Sequence, residues 1–327
     1  MTMTKSYVVG IDIGGTNTAY GIVDTCGTVI ASGSIKTPKH VEFKDYVEQL
    51  YTAVTNIIRQ ENLEGQIAGI GVGAPNANYY TGTIEKAPNL YWTENGERIE
   101  MIPFAATLKE KFGIPVAITN DANAAAIGEM TYGAARGIKD FIMITLGTGV
   151  GSGIVVNGQM LYGHDGFAGE LGHVTMRREN GRLCGCGRTG CLEAYASATG
   201  VARTAREFLE TRKEESLLRK LDIEEITSKD VYDAAVAGDQ LARDVFDFTG
   251  NMLGEAFADF IAFSSPKAII LFGGLTKAGD LIMQPIRESL DRNVMKNFKG
   301  KTEVIFSQLK EGDAAVLGAS ALGWDAK

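Results

Sequence analysis

Three of the four cysteines and one of the three histidines fall in one short stretch, where His173, Cys184, Cys186 and Cys191 are spaced His-x10-Cys-x-Cys-x4-Cys. Three thiolates and an imidazole suit tetrahedral zinc, and the intervening glycines permit the tight reversals that bring such donors together. A closed shell of four protein ligands reads as structural zinc. A redox pair or separately buried cysteines are the other readings of the same residues. Glu170 lies three residues before His173, and Glu193 two residues after Cys191. With a metal fixing the segment, two carboxylates are held rigidly near each other and suit the binding of sugar hydroxyls; solvated surface glutamates are the alternative.

Two further polar groups sit where apolar strands end. Asp12 lies inside the apolar run Tyr7–Ile13 and directly before Gly14-Gly15-Thr16. Glycines let backbone N–H groups line an anion-binding concavity and Thr16 adds a hydroxyl, so Asp12 reads as pointing into a phosphate and metal site, with a surface strand position as the alternative. Asn120-Asp121-Ala-Asn123 follows the run Pro115–Thr119 and opens an Ala-rich helix over 122–132. It reads either as a helix N-cap or as a carboxylate at the carboxyl end of a strand, where open α/β sheets bind ligands.

The elements that must carry these groups repeat. Gly15, Thr16 and Gly21-Ile22-Val23 recur as Gly147, Thr148 and Gly153-Ile154-Val155, and both second strands turn at a glycine, Gly27 and Gly158. An internal duplication of strand, glycine turn and strand predicts two similar α/β halves with a central cleft and two glycine turns converging on one polyphosphate. Apolar spacing predicts helices over 43–58, 104–112, 198–209, 229–237, 241–263, 279–292 and 314–322, and buried strands over 67–72, 267–272 and 303–307. Gly273-Gly274 closes the strand over 267–272, where backbone can approach an adenine or ribose. The irregular segment through Gly96, which holds Asn76 and Asn89, has the length of a functional loop.

Composition narrows the partners. The net charge of −8 includes no basic stripe, which argues against nucleic acid and anionic membranes and favours small molecules. No apolar run approaches the ~18 residues of a spanning helix, and no signal-length segment opens the chain. A cytoplasmic location is expected, where thiols stay reduced and clustered cysteines act as ligands. With 327 residues two domains are expected: a smaller one over 1–119 plus 312–327, and a larger one over 120–311 carrying the cysteine motif, hinged near Thr119–Asp121 and Glu311–Asp313.

Together Asp12-Ile-Gly14-Gly15-Thr16, Asn120-Asp121-Ala-Asn123, Leu146-Gly147-Thr148-Gly149-Val150-Gly151, Gly169-Glu170-Leu171-Gly172-His173, Cys184-Gly-Cys186-Gly-Arg-Thr-Gly-Cys191-Leu-Glu193 and Gly273-Gly274 resemble the ROK family of sugar kinases and repressors over nearly the whole chain. The resemblance implies an actin-like, ribonuclease-H-like ATPase fold and ATP-dependent phosphorylation of a hexose, glucose before fructose, N-acetylmannosamine, N-acetylglucosamine or allose. It implies Asp121 as catalytic base, with Asn120, Glu170, His173, Glu193 and Asn89 on the sugar. Gly14, Gly15, Thr16, Thr148 and Gly149 would form phosphate loops, Asp12 would lie near Mg2+, and Gly273-Gly274 would wall the adenosine. His173 would serve both zinc and sugar. A homodimer is also implied. Asn17 departs from the many members with Lys after Gly-Gly-Thr, which leaves the phosphate contact there open. A sugar-responsive repressor is the rival, but its N-terminal helix-turn-helix has no room before the strand that begins near Ser6.

Overall fold

The computed structural model describes residues 5–310 and 313–326. In chain order the main elements are β1 (Tyr7–Ile13), β2 (Asn17–Asp24), β3 (Val29–Lys36), α1 (Phe43–Gln60), β4 (Ile67–Gly73), α2 (Phe104–Phe112), β5 (Val116–Thr119), α3 (Asp121–Tyr132), β6 (Phe141–Leu146), β7 (Val150–Val156), α4 (Glu193–Ala196), α5 (Ala198–Thr211), α6 (Gln240–Ser264), β8 (Ala268–Phe272), α7 (Asp280–Asn293), β9 (Glu303–Phe306) and α8 (Ala314–Gly323). The helices follow the expected apolar periodicity to within a few residues at their ends.

The duplication is visible in topology. One sheet has the order β5-β4-β1-β2-β3, and the other runs β9-β8-β6-β7 and then the short strand Gln159–Met160. In the first, β1, β4 and β5 are parallel and β2 is antiparallel to β1; in the second, β6, β8 and β9 are parallel. Each sheet therefore presents the carboxyl ends of three parallel strands at one edge, with a glycine turn leaving the middle of it.

The chain folds into two compact units, one formed by residues 1–138, 153–169 and 307–327 and the other by 139–152 and 170–306. These divisions differ from the expected ones. Thr119–Asp121 lies inside the first unit, because β5 passes straight into α3 and α3 packs on α8 where Gly128 and Gly318 let the helices touch. Glu311 and Gly312, at the other expected hinge, lie outside the described residues.

The first unit's core is aromatic. Trp92 is fully buried and stacks on Tyr46 at 4.4 Å between centroids, with Phe104 and Phe43 around them. The Tyr46 hydroxyl meets Thr18 Oγ1 at 2.7 Å, which satisfies a polar group inside the core. The segment between β4 and α2, expected to be an irregular loop, thus contributes Ala87, Leu90 and Trp92 to the core and includes several short strands.

On the sheet's other face α8 lies against backbone. A Cβ on Gly71 would stand 1.9 Å from the Ala319 carbonyl, and one on Gly10 would stand 2.1 Å from that of Val316. Neither backbone can yield without lifting the helix. We predict that Gly71→Ala lowers unfolding free energy by at least the ~1–3 kcal/mol typical of overpacking. Denaturant unfolding checks this, and an unchanged midpoint would show that α8 has room to move.

Candidate functional site

In the first unit, register brings the polar strand ends level. Asp12 pairs with Gly73 across β1 and β4, and Thr119 pairs with the same Gly73 across β5 and β4. Gly73 leaves the space between them open, since a Cβ there would lie 3.5 Å from Asp12 Oδ1 and 3.8 Å from the Asp121 Cα. Asn120 is the N-cap of α3 and its Oδ1 accepts from the Ala122 N–H at 2.8 Å. The capping role thus falls to Asn120, while Asp121 occupies the first helical turn with its side chain open to solvent and its Oδ1 also 2.8 Å from the Ala122 nitrogen.

Two carboxyls this close disfavour joint ionisation. Burial, and then the charge of Asp121, push Asp12 up to about 7. Asp121 is accessible to water yet crowded by protein, and that desolvation raises its carboxyl above the usual range while the Ala122 N–H pulls it down. A carboxylate under such strain is suited to a divalent cation, which offsets both causes at once.

The turn after β1 is closed by Gly14 N–H donating to the Asn17 carbonyl at 3.0 Å, and Thr37 N–H donates to the Thr16 carbonyl at 2.9 Å. Gly15 abuts Asn89, whose Cβ would be 3.0 Å from a Cβ on the glycine. Asn89 and Thr16 are exposed. The structure therefore brings Asp12, Gly14, Gly15, Thr16, Asn89, Asn120 and Asp121 to one edge of one unit. Asn76 keeps its amide on the Glu85 carbonyl at 3.1 Å and serves its own loop.

The second unit gathers the rest. Its turn after β6 is closed by Gly147 N–H donating to the Gly149 carbonyl at 3.0 Å, and Thr148 is exposed. The Ala198 N–H and the Thr199 hydroxyl, at the start of α5, bind the Gly147 and Thr148 carbonyls at 2.8 and 3.1 Å. The positive end of a 14-residue helix thereby sits beside the turn and favours an anion there. Gly273, at φ 106°, follows β8 so closely on the end of β6 that a Cβ would be 2.6 Å from the Leu146 carbonyl; Gly274 is exposed.

The donor atoms of His173, Cys184, Cys186 and Cys191 all lie within 4.8 Å of one another. Cys186 Sγ is 3.7 Å from Cys191 Sγ, and Cys184 Sγ is 3.7 Å from His173 Nδ1. Those separations match the ~3.8 Å edge of a tetrahedron with ~2.3 Å metal–sulfur bonds, so the set fits zinc, and all four cysteines of the chain are free thiols rather than disulfides. Small bridges, Thr175 to Cys191 and Leu183 to Thr189, shape the loop.

The carboxylates stand next to this cluster. His173 Nε2 faces Glu170 Oε2 at 3.9 Å, so the imidazole turns one nitrogen to the thiols and the other to a carboxylate. Glu193 Oε2 accepts the Val150 N–H at 3.0 Å, and Oε1 lies 3.4 Å from Cys184 Sγ. Gly149 is required for this, since a Cβ would fall 2.5 Å from Glu193 Oε2. Sequence reasoning missed Arg182. Its buried guanidinium donates to the Ala194 carbonyl and Thr204, ion-pairs with Glu207 and stacks on Tyr195 at 4.6 Å, bracing the cysteine loop against α4 and α5. An Arg between glycines and cysteines carries no periodic signal that would mark it.

A family model described as the ROK family matches residues 8–326. A glucokinase of Halalkalibacterium halodurans is 38% identical, over 98% of this chain and 95% of that protein. A glucokinase of Thermotoga maritima is 34% identical over 98% of each. Among solved structures, a ROK family glucokinase from Streptomyces griseus in complex with glucose and AMPPNP superposes with a TM-score of 0.79 at 32% identity, covering 98% of this chain and all of that one. No described helix is long and apolar enough to cross a membrane.

The raised Asp12 yields a prediction for the ligand-free protein. A native carboxyl titrating near 7 holds its proton after the unfolded chain has lost its own near 3.8, so its contribution is complete below about pH 4 and is lost as pH rises through 7. Asp12→Asn is therefore expected to unfold at higher denaturant than the wild type at pH 8, and the difference should shrink towards pH 4. A pH-independent difference would contradict it.

Proposed function

The chain belongs to the ROK family, and on that premise we propose that it transfers the terminal phosphoryl group of ATP to a hexose, with glucose as acceptor and glucose 6-phosphate as product. Its architecture is the actin-like, ribonuclease-H-like ATPase fold of ROK sugar kinases. The observation that carries the reading is Asp121, an accessible carboxylate that follows a parallel strand and its N-cap Asn120, in a chain similar over its length to a glucokinase that binds glucose and AMPPNP.

In this reading Asn89, Asn120, Glu170, His173 and Glu193 bind the sugar hydroxyls. Asp121 orients the attacking hydroxyl and accepts its proton late, as a loose phosphoryl-transfer transition state demands little of a base. Its raised carboxyl favours holding that proton. Gly14, Gly15, Thr16, Thr148 and Gly149 offer backbone and hydroxyl donors to the phosphates, and Gly273-Gly274 leave room for the adenosine. Mg2+, held by Asp12, would supply charge neutralisation at the phosphates when bound. Zinc, held by His173, Cys184, Cys186 and Cys191, would supply rigidity to the loop that carries Glu170 and Glu193. Zinc and magnesium occupancy, a homodimer and a cytoplasmic location belong to the same proposal.

A panel of hexoses assayed for ADP release with ATP and magnesium tests the function, and the absence of turnover on every sugar would refute it. Asp121→Asn should keep glucose binding within about tenfold while turnover falls by at least the ~10²–10⁴ of general base catalysis; retained turnover would remove Asp121 from its role. Cys186→Ser should abolish zinc in metal analysis and weaken glucose binding in calorimetry. Zinc-free wild type with normal glucose affinity would remove the metal from the proposal.

A further inference from the structure

We infer that Lys36 binds the terminal phosphates of the nucleoside triphosphate, supplying the cation that the first glycine turn lacks; this rests on the kinase reading above. The turn itself, Gly14-Gly15-Thr16, offers only neutral donors, and the residue that follows it, Asn17, is neutral as well. The charged groups at that strand edge are Asp12 and Asp121, which already oppose each other. A polyphosphate brought to such a turn meets like charge at that edge.

Lys36 stands at the place where a cation is needed. It is the register partner of Asn17 at the end of β3, and its Nζ donates to Asn17 Oδ1 at 3.1 Å. The next residue, Thr37, ties that end of β3 to the turn through its N–H on the Thr16 carbonyl. Side chains alternate along a strand and cross-strand partners share a face. Asp12 pairs with Ala19, and Asn17 lies two residues from Ala19, so Asp12, Asn17 and Lys36 project from the same face of the sheet. Thr18, on the opposite face, is buried against Tyr46 in the core.

The Lys36 charge is also available. Among the described residues no carboxylate lies within ion-pair distance of it, and the side chain is exposed. An ammonium has three donors and Asn17 takes one, which leaves two for phosphate oxygens. Asn17 acts as a positioning residue that fixes the ammonium at the turn.

The test measures binding of AMPPNP with magnesium by calorimetry, alongside steady-state kinetics with glucose and ATP. In Lys36→Met, AMPPNP affinity and kcat/KM for ATP should each fall about tenfold, the scale of one charge-assisted hydrogen bond in a partly wet site. The KM for glucose should stay within about twofold of wild type. Lys36→Arg should retain most of the affinity, and the double variant Asn17→Lys with Lys36→Met, which moves the ammonium across the register pair, should recover it. Unchanged nucleotide affinity in Lys36→Met, or a loss that appears only in the glucose KM, overturns the inference. Wild type that binds AMPPNP but phosphorylates no hexose refutes the kinase reading alone, while wild type that binds no nucleotide refutes both.

Discussion

Asp12 at the carboxyl end of β1 and Asp121 at the start of α3, just after β5, lie on either side of the Gly73 end of β4, and the burial of these two carboxyls is the constraint on which the site in the first unit depends. Burial acts against ionisation of both carboxyls, and at Asp12 the charge of Asp121 adds to it. The arrangement persists because the backbone around it has no freedom. The core around Trp92 fixes one face of the sheet, α8 is pressed onto the backbone of Gly10 and Gly71 on the other, and Asn120 fixes the start of α3. A positive charge brought to this edge would act against both causes.

The second unit solves a different problem. Its polar groups lie on loops, and loops need tethers to hold a geometry. Glu193 is fixed at one oxygen by the Val150 N–H and placed at the other against Cys184, while Arg182 anchors the cysteine loop to α4 and α5. The turn at Gly147–Gly149, the carboxylate and the four soft donors thus form one connected structure in which each fixes its neighbour.

Much of this was legible in the residues, for identifiable reasons. A strand ending in a glycine turn is a local signal, so the repeat of Gly15-Thr16 as Gly147-Thr148 anticipated the matching strand orders of the two sheets. The spacing of His173, Cys184, Cys186 and Cys191 anticipated a cluster because glycine turns close such loops locally. What escaped depends on partners distant in sequence. Trp92 lies in a stretch without periodicity and gave no sign of being a core residue. The unit boundaries follow packing of α3 on α8, which no local pattern encodes. Lys36 is unremarkable until the register of β2 and β3 sets it opposite Asn17.

The place of α8 in the chain has a bearing on biosynthesis. The helix closes one face of the sheet formed by β1, β2 and β4, yet it lies at residues 314–323, after the entire second unit has been made. During translation the first five strands emerge before the helix that lies on the backbone of Gly10 and Gly71. The second unit, by contrast, has all of its residues synthesised before α8. The part of the first unit that is synthesised first is therefore completed by the part synthesised last, and until then that face of its sheet lacks its covering helix.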